Sequence, residues 1–246
     1  MKRFLLITAT ALFTSLFANS QTLDQIISNN IKAMGGAENW AAVKSIRMNG
    51  SMELMPEMKA PVTMLVKDKT KFRFELEFQG MKMIQALDGE SGWSVVPFSG
   101  KTDPERMSEE DVRSAQESAD IAPELFDYKS KGKEVELLGK EDMEGTDSYK
   151  LKITKKNGDI SYLYVDAQSF LVIKETSRQK FQDKEVEAVS IPSDYRMVGG
   201  VMFPFSLEMR GDDEESQGQS MTFDSIEVNP KIDDSVFAFP NASEGK

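Results

Sequence analysis

Between residues 71 and 78 the sequence reads Lys-Phe-Arg-Phe-Glu-Leu-Glu-Phe, so that Phe72, Phe74, Leu76 and Phe78 alternate with Arg73, Glu75 and Glu77. Successive side chains of a strand point to opposite faces, and a strict period of two therefore demands one apolar and one charged face. The same period governs most of the chain. Ile46, Met48, Met52 and Leu54 alternate with Arg47, Asn49, Ser51 and Glu53, and Val62, Met64 and Val66 continue it. Gln79-Gly80 turns into a strand from Met81 to Leu87, and Asp88-Gly89 turns into one restarted by Trp93. Further strands are expected around Val135 and Leu137, Tyr149 to Ile153, Ile160 to Val165 after Asn157-Gly158, Phe170 to Lys174, Val189 to Ile191, Val201 to Met209 and Met221 to Val228. Short turns between closely spaced strands mean antiparallel meander connections, and the pattern predicts one large curved antiparallel sheet of ten or eleven strands.

Two segments depart from this period. Thr22, with Gln25 three residues on, forms a capping box before Leu23, Ile26, Ile27, Ile31 and Met34 at helical spacing, and Gly35-Gly36 ends the helix. A short helical turn with Trp40 leads into the first strand. In the middle of the chain, residues 101–130 read as a mostly polar helical insertion between strands. Ser108 is its N-cap, with Glu109, Glu110 and Asp111 in the first turn and an apolar cluster at Ile121, Leu125 and Phe126. No Pro-, Gly- or Ser-rich linker separates a second domain, so residues 21–246 are expected to form a single α+β domain.

Residues 1–20 read as a cleaved secretory leader. Lys2 and Arg3 precede an apolar run from Phe4 to Phe17, and Ala18-Asn19-Ser20 offers a small-residue cleavage site before Gln21. The run is too short to span a bilayer. The chain contains no Cys, which predicts an exported, soluble protein with neither disulfides nor a lipid anchor. Loss of the two leader cations takes the net charge from −11 to −13. Such a surface argues against nucleic acid, whose phosphates require a basic face. With no His and no Cys, thiol chemistry, a Ser-His triad and histidine metal ligation are excluded, and no cofactor is expected. A carboxylate pair such as Glu75 and Glu77 would share a strand face, but it is the face opposite Phe72, Phe74 and Leu76, which points them to solvent.

An apolar face of this size exceeds what one helix and one insertion can cover. Seven of the fifteen methionines, at 48, 52, 55, 58, 64, 81 and 83, fall in its first four strands. Methionine is unbranched and polarizable, which suits a surface that must repack around varied apolar guests. The candidate lining is Met48, Met52, Met64, Phe72, Phe74, Met83 and Trp93, with Ile121, Leu125 and Phe126 as the lid.

Four segments together resemble one family. Residues 88–98, Asp-Gly-Glu-Ser-Gly-Trp-Ser-Val-Val-Pro-Phe, are similar to the "DG…W…P(F)" segment of LolA-type lipoprotein carriers. Residues 67–72 look like that family's strand entry, residues 233–240, Asp-Asp-Ser-Val-Phe-Ala-Phe-Pro, like its C-terminal ending, and residues 31–52 like the broader set of exported outer membrane lipoprotein-sorting proteins. The resemblance implies an eleven-strand incomplete β-barrel in the periplasm, its mouth covered by helices, that binds lipid or lipoprotein acyl chains without catalysis. It also implies a monomer that meets membrane-bound donor and acceptor proteins. The family's strand-entry aromatic falls on Phe72, and its lid-contacting arginine falls on Asp68, so that contact is absent here. The other reading that the residues leave open is an envelope protein-interaction or lipid-sensing module with no transport role.

Overall fold

A computed structural model describes residues 21–55, 57–143, 145–181, 184–211 and 218–240. The leader reading therefore lies outside the described residues. Helix α1 (Leu23–Ala33) begins at the expected capping box, with the Thr22 amide donating to Gln25 Oε1 at 2.9 Å and the Gln25 amide to Thr22 Oγ1 at 3.3 Å. Helix α2 (Ala37–Ala42) carries Trp40, and helix α3 (Glu109–Ala119) begins at Ser108, whose hydroxyl accepts from the Asp111 amide. The strands are β1 (Ser45–Met55), β2 (Met58–Lys67), β3 (Lys71–Phe78), β4 (Met81–Asp88), β5 (Ser91–Val96), β6 (Lys101–Arg106), β7 (Glu134–Met143), β8 (Thr146–Thr154), β9 (Ile160–Asp166), β10 (Val172–Phe181), β11 (Lys184–Val198), β12 (Val201–Gly211) and β13 (Gln219–Val228).

All thirteen form one antiparallel sheet in the order β6-β5-β4-β3-β2-β1-β13-β12-β11-β10-β9-β8-β7. It is curved and unclosed, an incomplete barrel whose edges are β6 and β7. The expectation of ten or eleven strands falls short chiefly at residues 101–106, read from sequence as the start of the insertion. They form the edge strand β6, where Lys101, Thr102, Asp103, Glu105 and Arg106 are exposed. An edge strand with no face to bury carries no apolar alternation, and it tolerates Pro104. The next strand to differ is β10, which begins at Val172 because Phe170 has a left-handed φ of 60°.

This strand order dictates the path of the insertion. The chain leaves the sheet at one edge, β6, and re-enters at the other, β7, so residues 107–133 must cross the opening between them. Helix α3 lies over β3, β4 and β5, and the crossing residues 120–133 carry the chain to β7. Helix α1 covers the other half: Ile26 and Ile27 pack with Tyr149, Leu151 and Ile153 of β8 and Leu163 and Val165 of β9. The two halves join where β1 pairs β13 across a register shift at Asn49/Gly50. A Cβ on Gly50 would lie 2.0 Å from the Thr222 carbonyl oxygen, so only glycine lets the seam close. At the end of α1, Gly35 has φ 106° and a Cβ there would lie 2.4 Å from the Gly200 carbonyl oxygen, so glycine is needed where this helix meets the β11–β12 turn.

The opposite face of β2–β5 is covered by residues 229–240, whose Phe237 is fully buried. Trp93 Nε1 donates to the Phe237 carbonyl at 2.8 Å, Arg73 Nη1 to that of Val236 at 2.6 Å, and Lys67 Nζ to that of Ile232 at 3.0 Å. The charged side of the alternation in β3 thus binds the backbone of the C-terminal tail.

Candidate functional site

Register places the candidate lining residue by residue. Met48 pairs with Met64, Met64 with Phe74, Met52 with Ala60, and Leu76 with Met83, so six of the seven share the helix face with Phe72. Met48, Phe72 and Phe74 are buried in the main core, and Met52, Met64 and Met83 pack against it.

Trp93 does not join them. It pairs with Ala86, which pairs with Arg73, and it therefore stands on the tail face, where it meets Phe239 at 6.2 Å between ring centroids and the Arg73 guanidinium at 5.3 Å. The two-residue hairpin loops decide this. Pairing Phe78 with Met81 and Asp88 with Ser91 fixes the parity of the strands that follow, and a slip of one residue would invert every face. That signal was present in Gln79-Gly80 and Asp88-Gly89. The neighbour on the helix face is Gly92, against which Met107 packs.

The expectation that the helices are too few to cover this face is overturned. The small residues Ala115 and Ala119 let α3 lie close, and Phe126 fills the remaining space. Leu125 and Phe126 are adjacent yet enter separate apolar clusters. Leu125, 1 % exposed, joins Ile26, Ile27 and Leu163 under α1, whereas Phe126, 4 % exposed, joins Trp40, Phe72 and Phe74. Ile121 packs against the latter cluster and helps to line a residual pocket of about 20 Å³ with Trp40, Ile46, Val66 and Ala122. A groove of about 560 Å³ opens between α1 and residues 125–130, lined by Ile27, Ile31, Leu125 and Tyr128.

Charge fastens the crossing segment. Lys131 Nζ lies 2.6 Å from Asp120 Oδ2, which staples the segment to itself. Lys155, just past β8, meets Glu117 of α3 at 2.6 Å, and Lys133, just before β7, is bonded to Glu124. Glu175 of β10 faces this group, because it pairs with the buried Leu163 and so points to the helix face. Burial first, and Glu124 next, push its carboxyl up to about 7 against the opposing pull of Lys155 and Lys133. Burial opposes the charge of Lys155, but the hydrogen bond it donates to Glu117 and the fields of Glu117, Glu124 and Glu175 hold its ammonium above the ordinary value. Burial, then Glu175, pushes the Tyr195 phenol up, and its hydroxyl donates to the Val172 carbonyl at 2.8 Å. Sequence reading missed these charges, since each is an ordinary polar residue in its own segment.

Two other expectations concern the rim. Asp68 sits in the β2–β3 turn with φ 54° and its amide on the Lys44 carbonyl, while Lys69 Nζ lies 5.5 Å from the centre of the Phe126 ring. Glu75 and Glu77 lie on the face away from Phe72, as read, but only Glu77 is exposed there; Glu75 is half-buried between Arg73 and Lys82 instead of facing solvent. Burial disfavours the Glu75 carboxylate, but hydrogen bonds from Lys82 and Arg73 hold it below its usual range. Among the described residues no helix is long and apolar enough to cross a membrane.

A family model described as "Uncharacterized protein" matches residues 67–241. No curated protein matches by sequence. Solved structures share the fold. The LolA superfamily protein of Nitrosomonas europaea is 14 % identical, with a TM-score of 0.56 over 87 % of this chain and 96 % of that one. A DUF1329 family protein of Desulfovibrio piger is 13 % identical, with a TM-score of 0.56 over 89 % and 98 %. A putative outer membrane lipoprotein-sorting protein domain of Vibrio parahaemolyticus is 11 % identical, with a TM-score of 0.58 over 86 % and 94 %.

Proposed function

This chain belongs to the family whose model, described as "Uncharacterized protein", spans residues 67–241, and it has the fold of the LolA superfamily; from that premise we propose that it is a non-catalytic, exported carrier of lipid or lipoprotein acyl chains. The observation that carries the reading is the plug. Leu125 and Phe126 occupy the helix face of an open sheet on a segment that belongs to neither edge, and Phe126 shares one apolar cluster with Met48, Phe72 and Phe74, against which Met64 packs. Withdrawal of the plug uncovers a continuous apolar row that needs a substitute.

Magnitudes set what that substitute must be. Burying a Leu or Phe side chain is worth about 1.5–3 kcal/mol, and a buried methylene about 0.8 kcal/mol. Displacing both plug residues costs about 5 kcal/mol on this scale, which about six methylenes offset. Long acyl chains therefore bind and short ones do not. Methionine at 48, 52, 64 and 83 lets the row repack around chains of different length. Release follows when the plug returns, provided that the two states lie close in free energy.

Native mass spectrometry of the protein taken from its own envelope tests the reading, paired with a titration of the delipidated protein with C4 to C16 fatty acids. Co-purified lipid and stabilisation that grows beyond about six methylenes are expected. Absence of both leaves a surface for protein partners as the better account.

A further inference from the structure

We infer that Lys133 and Lys155 form a seat for the anionic head of the acyl ligand, and that Glu117 and Glu124 hold that seat while the plug is closed. This rests on the acyl-binding reading and assigns the ligand's polar end. The two lysines flank the last β7–β8 pair, Glu134 with Thr154, and so occupy the next position in that register. Alternation gives them the side of Val135 and Ile153, which pack in the α1 cluster on the helix face. Lys155 directly follows β8, and Lys133, the last residue of the crossing segment, directly precedes β7, so both stand at the end of the sheet. Their partners do not: Glu117 belongs to α3 and Glu124 to the crossing segment that carries Leu125 and Phe126.

The lysine side chains are 14 % and 24 % exposed, against 31 % and 54 % for Glu124 and Glu117. The cations are thus the inner members of both pairs, and the carboxylates approach from the plug. If the plug withdraws, both carboxylates leave with Leu125 and Phe126, and two half-buried ammonium groups stand unpaired beside a newly opened apolar surface. Unpaired charge in such a place is costly, and an incoming anion relieves the cost. The acyl chain replaces the plug's apolar residues, and its head replaces the plug's carboxylates.

A second observation points to a polar ligand here. Ser161 pairs with Ile153, two pairs along from Lys155 and on the same face, and is 1 % exposed; its hydroxyl has no hydrogen-bond partner among the described residues. Buried hydroxyls are ordinarily satisfied. The remaining groups at the seat are Glu175 and Tyr195. Protonated Glu175 leaves the two lysines to the ligand, whereas ionised Glu175 competes with it, so an anion binds more tightly as the pH falls.

Binding of dodecanesulfonate and dodecanol to the full delipidated protein, both below their aggregation limits, tests the assignment. The sulfonate keeps one negative charge at every pH used. It should bind at least about tenfold more tightly than the alcohol at pH 6, and the ratio should shrink at pH 8.5. Lys133→Gln with Lys155→Gln should remove the preference for the sulfonate over the alcohol. Glu175→Gln should keep the preference and flatten its pH dependence, which serves as the readout if the double substitution fails to fold. Equal affinities for the two probes, or a preference that survives loss of both lysines, would overturn the seat alone. Failure of both probes to bind would overturn the acyl reading and the seat together. Inorganic phosphate at millimolar concentration should neither bind nor compete; competition would assign the lysines to a free anion and overturn the head-group role.

Discussion

The two halves of the sheet meet at the β1–β13 seam and are covered on the helix face by different means. Over β1–β6 the cover is apolar against apolar: Ala115, Ala119 and Phe126 share one cluster with Met48, Phe72, Phe74 and Leu76, and a tail seals the other face at Trp93 and Phe237. Over β7–β10 the α1 cluster is apolar too, but its margin is a line of charge running from Glu117 through Lys155, Glu124 and Lys133 to Glu175. Apolar burial sets how strongly the plug is held, because it scales with area and is indifferent to small shifts. Charge pairs fix where the plug sits and what can replace it, because they depend on partner and distance. One half stores the energy and the other holds the selector.

Substitutions separate the two. Phe126→Ala should cost about 3–5 kcal/mol of stability by deleting a buried aromatic, and denaturant midpoints will show it. It should also leave an apolar vacancy that admits shorter acyl chains. With Trp93→Phe as background, Trp40 becomes the one tryptophan left, and it lies against the pocket beside Ile121 and Ala122. Its emission should shift when an acyl ligand enters; an unchanged spectrum on saturation would place the ligand elsewhere.

Glu175→Gln addresses the charged margin. The native carboxyl ionises near 7 rather than at 4.5, so the folded protein holds a proton that the unfolded chain has released between those values. Stability therefore falls as pH rises from 4.5 through 7, by about 3 kcal/mol at most. The substitution should flatten this slope and raise the melting temperature at pH 8; an unaltered profile would show that Glu175 is not in the described environment. Trp93→Phe alone should cost about 1–2 kcal/mol, the cost of leaving the buried Phe237 carbonyl without its donor. It should not alter acyl binding, since it acts on the tail face. The smallest effect is expected from Glu117→Gln. Its carboxylate is 54 % exposed, and such pairs contribute less than about 1 kcal/mol, yet stopped-flow ligand entry should quicken because Lys155 loses its plug partner.

Much of the fold was legible before any coordinates. The alternation of Phe72, Phe74 and Leu76 with Arg73 and Glu75 gave β3 its two faces, and the capping box at Thr22 gave the start of α1. Six of the seven candidate lining residues fell together because methionine and phenylalanine recur in one parity of β1–β4. Trp93 was misplaced because its identity outweighed its register, although the hairpin turns before it contain the answer. Strand β6 and the charged margin left no local trace: an exposed edge needs no apolar pattern, and Lys133, Lys155, Glu117 and Glu175 each look like solvated residues in their own segments.

What the sequence by itself determined was therefore of short range: the period of two, the turn residues, the helix caps and the interruption of the strand pattern at residues 101–130. These follow from backbone geometry, which acts over a few residues and repeats along the chain. The tertiary structure alone decided the pairing of β1 with β13, the passage of the plug from one edge to the other, and the meeting of Lys133 and Lys155 with Glu117, Glu124 and Glu175. Apart from Lys133 with Glu124, nine residues away, those contacts join segments far apart in sequence. Their energies arise only once the sheet order has brought the charges within reach, at distances that no local pattern encodes.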